Sequence, residues 1–375
     1  MIKRKINDLI KNNSNKGKVL VVLGPRQVGK TTAMKAFCSS QADTVLWLNG
    51  DDFDVRAQLA HATQTQLKAL IGSTSIIVID EAQRIENVGL AIKLLIDSFP
   101  EKQILVSGSS ALELSSTISE PLTGRKYEYV MYPLSYIEMV DHQGALYERR
   151  LLEHRLIYGY YPDIVTHPGE EQELLFNLAN SYLYKDILAY QQVKKPAILE
   201  KLLMALALQI GSEVSYNELG RLIGLDTNTV ERYIDLLEKS FVVFRLQSLS
   251  RNMRNEIKNG RKVYFYDNGI RNAIIKNFNA PALRTDIGAL WENFCIVERM
   301  KSLSHASRQV NRFFWRTHAQ QEIDYIEEYQ GVLHAFEFKW NPKKAPRFPK
   351  SFLDSYPDTT TTVVTRDSLE GFIAN

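Results

Sequence analysis

This chain has little material for cross-linking or for crossing a membrane. Its 375 residues hold two cysteines, Cys38 and Cys295, far apart and without CxxC spacing. That excludes a disulfide framework and a cysteine zinc site, and it points to a reducing, cytoplasmic setting. Long apolar runs are missing too: stretches such as 202–208 are far too short to span a bilayer, so no membrane role is expected. The basic start, Met1-Ile2-Lys3-Arg4-Lys5, lacks the apolar stretch of a secretory signal. No repeat or low-complexity tract stands out. Charge of neither sign dominates, although it is unevenly placed. After Ser250 there are 19 Lys and Arg against 14 Asp and Glu, a surplus of five; with a net charge of +3, the first 250 residues carry an excess of two negative charges. A modestly basic final third suits nucleic acid and equally suits ordinary surface variation.

Against these absences stands one specific stretch. Residues Gly24-Pro25-Arg26-Gln27-Val28-Gly29-Lys30-Thr31-Thr32 match G-x-x-x-x-G-K-[ST] in full. The preceding Val19-Leu20-Val21-Val22-Leu23 is short, branched and apolar, as a buried parallel strand is, and 31–38 suits a helix start. Strand, loop and helix form the context this motif requires. Gly24 and Gly29 let the backbone turn so that consecutive N–H groups face phosphate oxygens, and the helix N-terminus adds partial positive charge. Lys30 would reach the β- and γ-phosphates and the Thr31 hydroxyl would bind Mg²⁺. The expected ligand is a nucleoside triphosphate with Mg²⁺.

Two more apolar strands fit the same scheme. Ile76-Ile77-Val78-Ile79 ends in Asp80-Glu81. A carboxylate at the end of a strand beside the loop can hold Mg²⁺ through its water shell, and Glu81 is placed to polarise an attacking water. A third strand over 103–106 ends in Ser107-Gly108-Ser109-Ser110, where a small polar group such as Ser109 would sense the γ-phosphate; a turn followed by a helix cap explains the same residues.

Strands and helices alternate over about 18–130, which predicts an open parallel α/β sheet, with a further strand over 44–48 and one helix over 58–71. Helices take over from 135 to about 190, broken by Gly159-Tyr160-Tyr161-Pro162, and Lys194-Lys195-Pro196 reads as a linker. Residues 197–247 form a compact pattern. A helix over 198–210 is followed by a second opened by Ser215 and Glu218 as a capping box, a turn at Gly224-Leu225-Asp226, a third over 227–239, and a strand over 241–246. That is the winged helix-turn-helix arrangement, in which Thr227, Asn228, Thr229 and Arg232 would face DNA bases or phosphates; a winged helix used for protein packing is the alternative.

The last segment carries a third constellation: Trp291-Glu292-Asn293-Phe294 on an amphipathic helix, then strands at 313–316, 322–326 and 335–340. Asp324, followed after a short interval by Glu337-Phe338-Lys339, can make a Mg²⁺-dependent phosphodiesterase centre. Asp324 and Glu337 would hold the metal, Lys339 would orient water and stabilise charge, and Glu292 would be a further carboxylate. Charges on a solvated strand face account for the same pattern.

Taken in order, these motifs resemble the prokaryotic AAA+ ATPases that carry a winged helix and a C-terminal domain related to PD-(D/E)XK nucleases. The resemblance runs over nearly the whole chain, through Asp80-Glu81-Ala82-Gln83, Leu122-Thr123-Gly124-Arg125, Tyr132-Pro133-Leu134-Ser135, 159–162, 264–269, 291–294, 322–326 and 337–340. It implies an ATPase core over 1–132, a helical lid region over 133–195, a winged helix over 196–270 and a nuclease-like domain over 271–375. It further implies ATP as the nucleotide, DNA as a partner, and a homo-oligomer, a hexameric ring being favoured. In such a ring Arg125 would act in trans as an arginine finger, or would serve a salt bridge of its own chain. The helical region shows no clear second sensor arginine, which departs from the family pattern.

Overall fold

A computed structural model describes residues 2–41, 43–109, 118, 120–189, 196–250, 260–343 and 348–374, with the backbone alone at 181–189 and 196. Ser110, the linker residues Lys194 and Lys195, and the basic stretch from Lys344 to Arg347 lie outside the described residues. The chain divides into two compact units, Met1–His142 with Lys239–Phe241, and Gln143–Glu238 with Val242–Asn375.

The apolar runs form the middle of the first unit. Strands β1 (Val19–Leu23), β3 (Ile76–Asp80) and β4 (Gln103–Gly108) are buried along their whole length, while β2 (Val45–Asn49) and β5 (Lys126–Val130) are more exposed at the edges. The order is β2-β3-β4-β1-β5, and every pair is parallel. Central parallel strands are covered on both faces, so uninterrupted apolar runs rather than alternation mark them. After β1 the chain goes out to the edge at β2 and returns through β3 and β4 to lie against β1, whereas β5 takes the other side. The order reverses beside β1, and ligands of open parallel sheets bind at the carboxyl ends of the strands at such a point.

Helices α1 (Ile6–Asn13), α2 (Lys30–Ser39), α3 (Phe53–Ala60), α4 (Gln64–Ile71) and α5 (Val88–Ser98) accompany the sheet. The single helix expected over 58–71 is instead the pair α3 and α4. Thr63 and Gln66 close a reciprocal cap, with Thr63 N donating to Gln66 Oε1 at 2.8 Å and Gln66 N to Thr63 Oγ1 at 3.4 Å. The threonine thereby satisfies the free N–H groups of a new helix start, which periodicity alone does not reveal.

In the second unit a six-stranded sheet has the order β11-β10-β9-β8-β6-β7, built from β6 (Val243–Ser248), β7 (Arg261–Phe265), β8 (Asn311–Arg316), β9 (Glu322–Tyr329), β10 (Val332–Phe338) and β11 (Thr360–Val364). Helices Pro196–Leu208, Tyr216–Ile223 and Thr227–Lys239 precede the antiparallel pair β6–β7. Ser215 caps the middle helix and Gly224 ends it in the left-handed conformation. The β9–β10 hairpin turns through Gln330 and Gly331, both at positive φ (52° and 81°), the backbone that two-residue hairpin loops demand. Strand β8 joins the two parts of the sheet by pairing in parallel with the end of β6 and antiparallel with β9.

The Gly159–Pro162 motif has a packing cause. Gly159 (φ 73°) ends the helix Leu152–Tyr158, and Tyr160 N donates to Asp267 Oδ2 at 2.7 Å. Asp267 also caps the helix Asn268–Ile274 by accepting from Ile270 N. Burial pushes the Asp267 carboxyl above its ordinary value, against these hydrogen bonds. A Cβ on Gly159 would stand 2.0 Å from Asp267 Oδ1. Gly159→Ala is therefore expected to destabilise the protein by about 3 kcal/mol. Gly169→Ala, also at positive φ (99°) but with nothing within 4 Å, should cost only about 1 kcal/mol. Chemical denaturation of both variants checks this; equal losses would contradict the role given to Asp267.

Candidate nucleotide site

The loop after β1 is shaped by close approach and positive φ. A Cβ on Gly24 would lie 2.1 Å from the Met131 carbonyl oxygen, because Met131 N donates to Leu23 O at 2.7 Å and holds the following chain against the loop. Gln27 (φ 58°) and Gly29 (φ 93°) turn the backbone so that α2 starts at Lys30. A helix start leaves its first N–H groups without partners inside the helix, and here that start follows directly on the loop after β1, the arrangement that binds phosphate. Lys30 is buried at 5% exposure, and its ammonium donates to the carbonyl oxygens of Gly24 and Pro25 at 2.8 Å each. It spans the inside of the loop.

Asp80 stands at the carboxyl end of β3 and is 4% exposed. One oxygen accepts from the Thr31 hydroxyl at 2.8 Å and the other from the Ser107 hydroxyl. The Ser107 hydroxyl in turn accepts from Glu81 N at 3.1 Å. Strand β4 lies between β1 and β3, so this small polar residue stands between the two motifs. Ser109, the residue expected to sense phosphate, is buried and accepts from Gln83 Nε2 at 2.9 Å. The same Gln83 nitrogen donates to Glu81 Oε2 at 2.6 Å, and Gln83 Oε1 is buried without a hydrogen-bond partner. The neighbouring carboxylate requires the nitrogen on its side, so the orphan atom is the oxygen.

Lys30 in the loop, the Thr31–Asp80 pair and the N-terminus of α2 fit a nucleoside triphosphate with Mg²⁺. Thr31 and Asp80 would hold the ion, and Pro25, Arg26, Val28 and Thr32 complete the loop.

Two supports escaped sequence reading, and a third, Gln83, was read only as part of a motif. Gly50, where a Cβ would meet the Glu81 carbonyl at 2.3 Å, lets the end of β2 approach the Asp80–Glu81 turn. Gln83 ties Glu81 to Ser109. Arg4, 8% exposed, donates to Val28 O at 2.5 Å, to Tyr132 O at 2.7 Å and to Glu138 Oε1 at 3.1 Å. It thus joins the phosphate loop to the Tyr132–Ser135 motif, where Ser135 and Glu138 form a reciprocal cap. Only the Gln83 and Ser135–Glu138 spacings were visible in the chain.

Arg125 stands away from its own loop. Its carbonyl accepts from Val19 N, at the opposite end of β1, and its guanidinium bonds Asp97 at 2.6 Å.

In the second unit the four residues assigned to DNA divide. The Thr227 hydroxyl donates to Asn217 Oδ1 at 2.6 Å, and Thr229 is bound through N and Oγ1 to Asp226, at 2.9 and 2.7 Å. These two serve the turn and the helix start, while Asn228 and Arg232 are exposed.

The carboxylate constellation does assemble, with more members than expected. Asp324 on β9 accepts from Phe338 N at 2.8 Å, and Lys339 Nζ lies 2.7 Å from Glu337 and 3.5 Å from Asp324. Glu292 accepts from Lys262 Nζ at 3.0 Å and from the Tyr264 hydroxyl at 2.5 Å, and Lys262 also pairs with Glu322. Burial pushes the Glu292 and Glu337 carboxyls up to about 7; Lys262 opposes the rise at Glu292, while Asp324 adds to it at Glu337. Lys262 went unrecognised in the sequence, and Tyr264 and Glu322, which fall within the stretches 264–269 and 322–326 of the resemblance, were given no role there. Among the described residues no three His, Cys, Asp or Glu side chains converge as a ligand set.

Comparison with known proteins follows the same division. A family model for an AAA domain matches residues 16–140, and two domains of unknown function match 149–280 (DUF8612) and 287–372 (DUF4143). The chain is 27% identical over 328 residues to an uncharacterized protein of Mycobacterium tuberculosis, covering 86% of this chain and 70% of that protein. It is 26% identical over 274 residues to one of Haemophilus influenzae, covering 68% of each. The fold is similar to that of a Walker-type ATPase of Pyrococcus abyssi, at a TM-score of 0.50 and 15% identity over 73% of this chain and 96% of that one. Residues 16–140 thus match an AAA domain, and the fold of the chain is similar to that of a Walker-type ATPase. No helix among the described residues is long and apolar enough to cross a membrane.

Gln83→Ala is expected to lower nucleotide turnover on the order of 10-fold while leaving KM nearly unchanged, because it releases Glu81 and not the loop. In a Glu81→Gln background the same change should have no further effect. Steady-state kinetics of the double-mutant cycle checks this, and additive losses would show that Gln83 does not act through Glu81.

Proposed function

We propose that the chain is a Mg²⁺-dependent ATP hydrolase of the AAA type whose turnover is coupled to DNA. The observation that carries the proposal is the Asp80 carboxylate, buried and bonded at once to the Thr31 and Ser107 hydroxyls. That arrangement links the phosphate loop to the strand that carries Glu81. Lys30 would neutralise the β- and γ-phosphates, Glu81 would take the proton of the attacking water, and Ser109 with Gln83 would keep Glu81 in place. Thr31 and Asp80 would hold Mg²⁺, which would supply charge neutralisation at the phosphate oxygens. In a homo-oligomer, a hexameric ring being the favoured form, Arg125 of one protomer would leave Asp97 to stabilise the transferred phosphoryl charge in the next.

Charge placement supports the DNA contact. The helix Thr227–Lys239 carries Glu231, Asp235 and Glu238, an unsuitable set beside phosphates. Arg245 takes Asp235 and Glu238 at 2.6 and 2.5 Å, and Arg261 takes Glu231 at 3.3 Å. The acidic residues are thereby neutralised from the β6–β7 pair, and Asn228 and Arg232 are left exposed. Three helices followed by an antiparallel pair support a winged helix. The basic surplus after Ser250 is compatible with the same partner.

The second reading is a nucleotide-switched scaffold that binds protein and has no nuclease activity. It is favoured by the use of Thr227 and Thr229 in local caps, which leaves few groups for base contact.

ATP turnover measured with duplex, single-stranded and branched DNA across a salt series separates the two. Stimulation by one DNA form, fading with salt as counterion release requires, is the expected result. Lys30→Ala should abolish at least about 99% of turnover in a folded protein. The joint change Asn228→Ala with Arg232→Ala should weaken stimulation and flatten the salt slope by about one unit. Turnover indifferent to every DNA form would favour the scaffold, and unchanged turnover in Lys30→Ala would overturn the site itself.

A further inference from the structure

The carboxylates of the second unit suggest a metal centre by their sequence spacing, but their partners do not leave them to a metal. Four of them, Glu292, Glu322, Asp324 and Glu337, are served by two ammonium groups, Lys262 and Lys339. Lys339 belongs to the expected set. Lys262 comes from β7, far away in the chain, and its side chain is 1% exposed.

Its position is fixed from several directions. Lys262 pairs with Leu246 across the β6–β7 ladder, and Glu213 bridges to it on the other side. The ammonium lies 3.0 Å from Glu292 Oε1, contacts Glu322 Oε1, and stands 5.4 Å above the Phe314 ring. Tyr264, two residues along the same strand, donates its hydroxyl to the same Glu292 oxygen. An ammonium held by backbone pairing at both edges and by two carboxylates is part of the packed interior and not a mobile tether.

Divalent ions ask for something else. Mg²⁺ requires oxygens at roughly 2.1 Å in a near-octahedral set, several of them from water. Here Glu292 faces Lys262 and Tyr264, Asp324 faces a backbone N–H and Lys339, and Glu337 faces Lys339. Arg316 adds a third cation, 3.6 Å from Glu322 Oε2. The expected ligand set does not converge, because each carboxylate already has a cation or a donor of the chain itself.

We infer that Lys262 is the resident cation of this centre, its ammonium held between Glu292 and Glu322 beside the Asp324, Glu337 and Lys339 group for which the sequence pattern suggests a divalent metal. The second unit then uses the nuclease-like arrangement as a folded binding module, and cutting of DNA by Asp324, Glu337 and Lys339 is not its ground-state activity. The inference deepens the proposed function of the second unit and is independent of nucleotide hydrolysis by the first.

The test uses Mn²⁺ as probe on the full chain without nucleotide, by titration calorimetry and thermal unfolding. Wild type should show no saturable Mn²⁺ site that Glu337→Gln removes. Lys262→Met should lower the unfolding midpoint on the order of 10 °C, since it leaves buried carboxylates unpaired. Mn²⁺ should restore most of that loss and bind the variant at least about 10-fold more tightly than wild type. A wild-type Mn²⁺ site that survives Asp80→Asn and disappears in Glu337→Gln would overturn the inference. So would a folded Lys262→Met protein that gains no Mn²⁺ binding. Should Lys262→Met not fold, the wild-type and Glu337→Gln titrations decide alone.

Discussion

The candidate nucleotide site depends on one buried carboxylate. Asp80 joins Thr31, at the start of α2, to Ser107, at the end of β4, and Ser107 holds the backbone of Glu81. Two neighbouring strands, β3 and β4, and the start of α2 are thus tied together by side chains, where the backbone ladder stops. Such a buried acid is costly unless its lone pairs are satisfied. The hydroxyls satisfy it while leaving the group at the place where a cation bound to phosphate would arrive. Local structure, packing and chemistry meet in that residue. The parallel sheet brings the strand ends together, the left-handed turn at Glu81 aims the next carboxylate, and Gly24 and Gly50 allow the chain to pass closely.

The second unit solves a harder electrostatic problem by the same means. Charged groups are buried there in numbers: Glu148 with Arg155, Glu298 with Lys301, Arg299 with Glu327, and the Lys262 cluster. Breaking any such pair strands a charge in a low-dielectric interior, so the pairs specify which elements meet even where they add little net stability. Lys262 and Tyr264 fasten β7 to the helix Ile287–His305, and Asp267 fastens Tyr160 to the helix Asn268–Ile274. Strand β8 continues the sheet from the β6–β7 pair into β9 and β10. The three helices and the six-stranded sheet so read as one continuous body within this unit.

Legibility in the sequence followed the range of the interaction. Strands β1, β3 and β4 were readable within a residue or two because burial on both faces writes itself as an apolar run. The helix Thr227–Lys239 was readable from its turn and cap, which are local. The break between α3 and α4 was missed although its Thr63–Gln66 signature lies in the chain, because amphipathic spacing continues across it. Asp324, Glu337 and Lys339 were found together since they lie close in sequence on adjacent strands. Lys262 and Arg4 were not, because nothing near either residue marks it. Their partners, Glu292 and Glu138, lie 30 and 134 positions away. Thr227 and Thr229 were read as ligand contacts, and in the fold their hydroxyls bond Asn217 and Asp226, partners that composition does not reveal.

Hydrogen exchange of the full chain with and without Mg·ATP tests the central assignment most directly. If the loop after β1 is the phosphate site, nucleotide should slow exchange at residues 24–31 and around 80–81, and Lys30→Ala should erase that protection. Protection confined to other segments, or identical protection in the Lys30→Ala protein, would contradict the account.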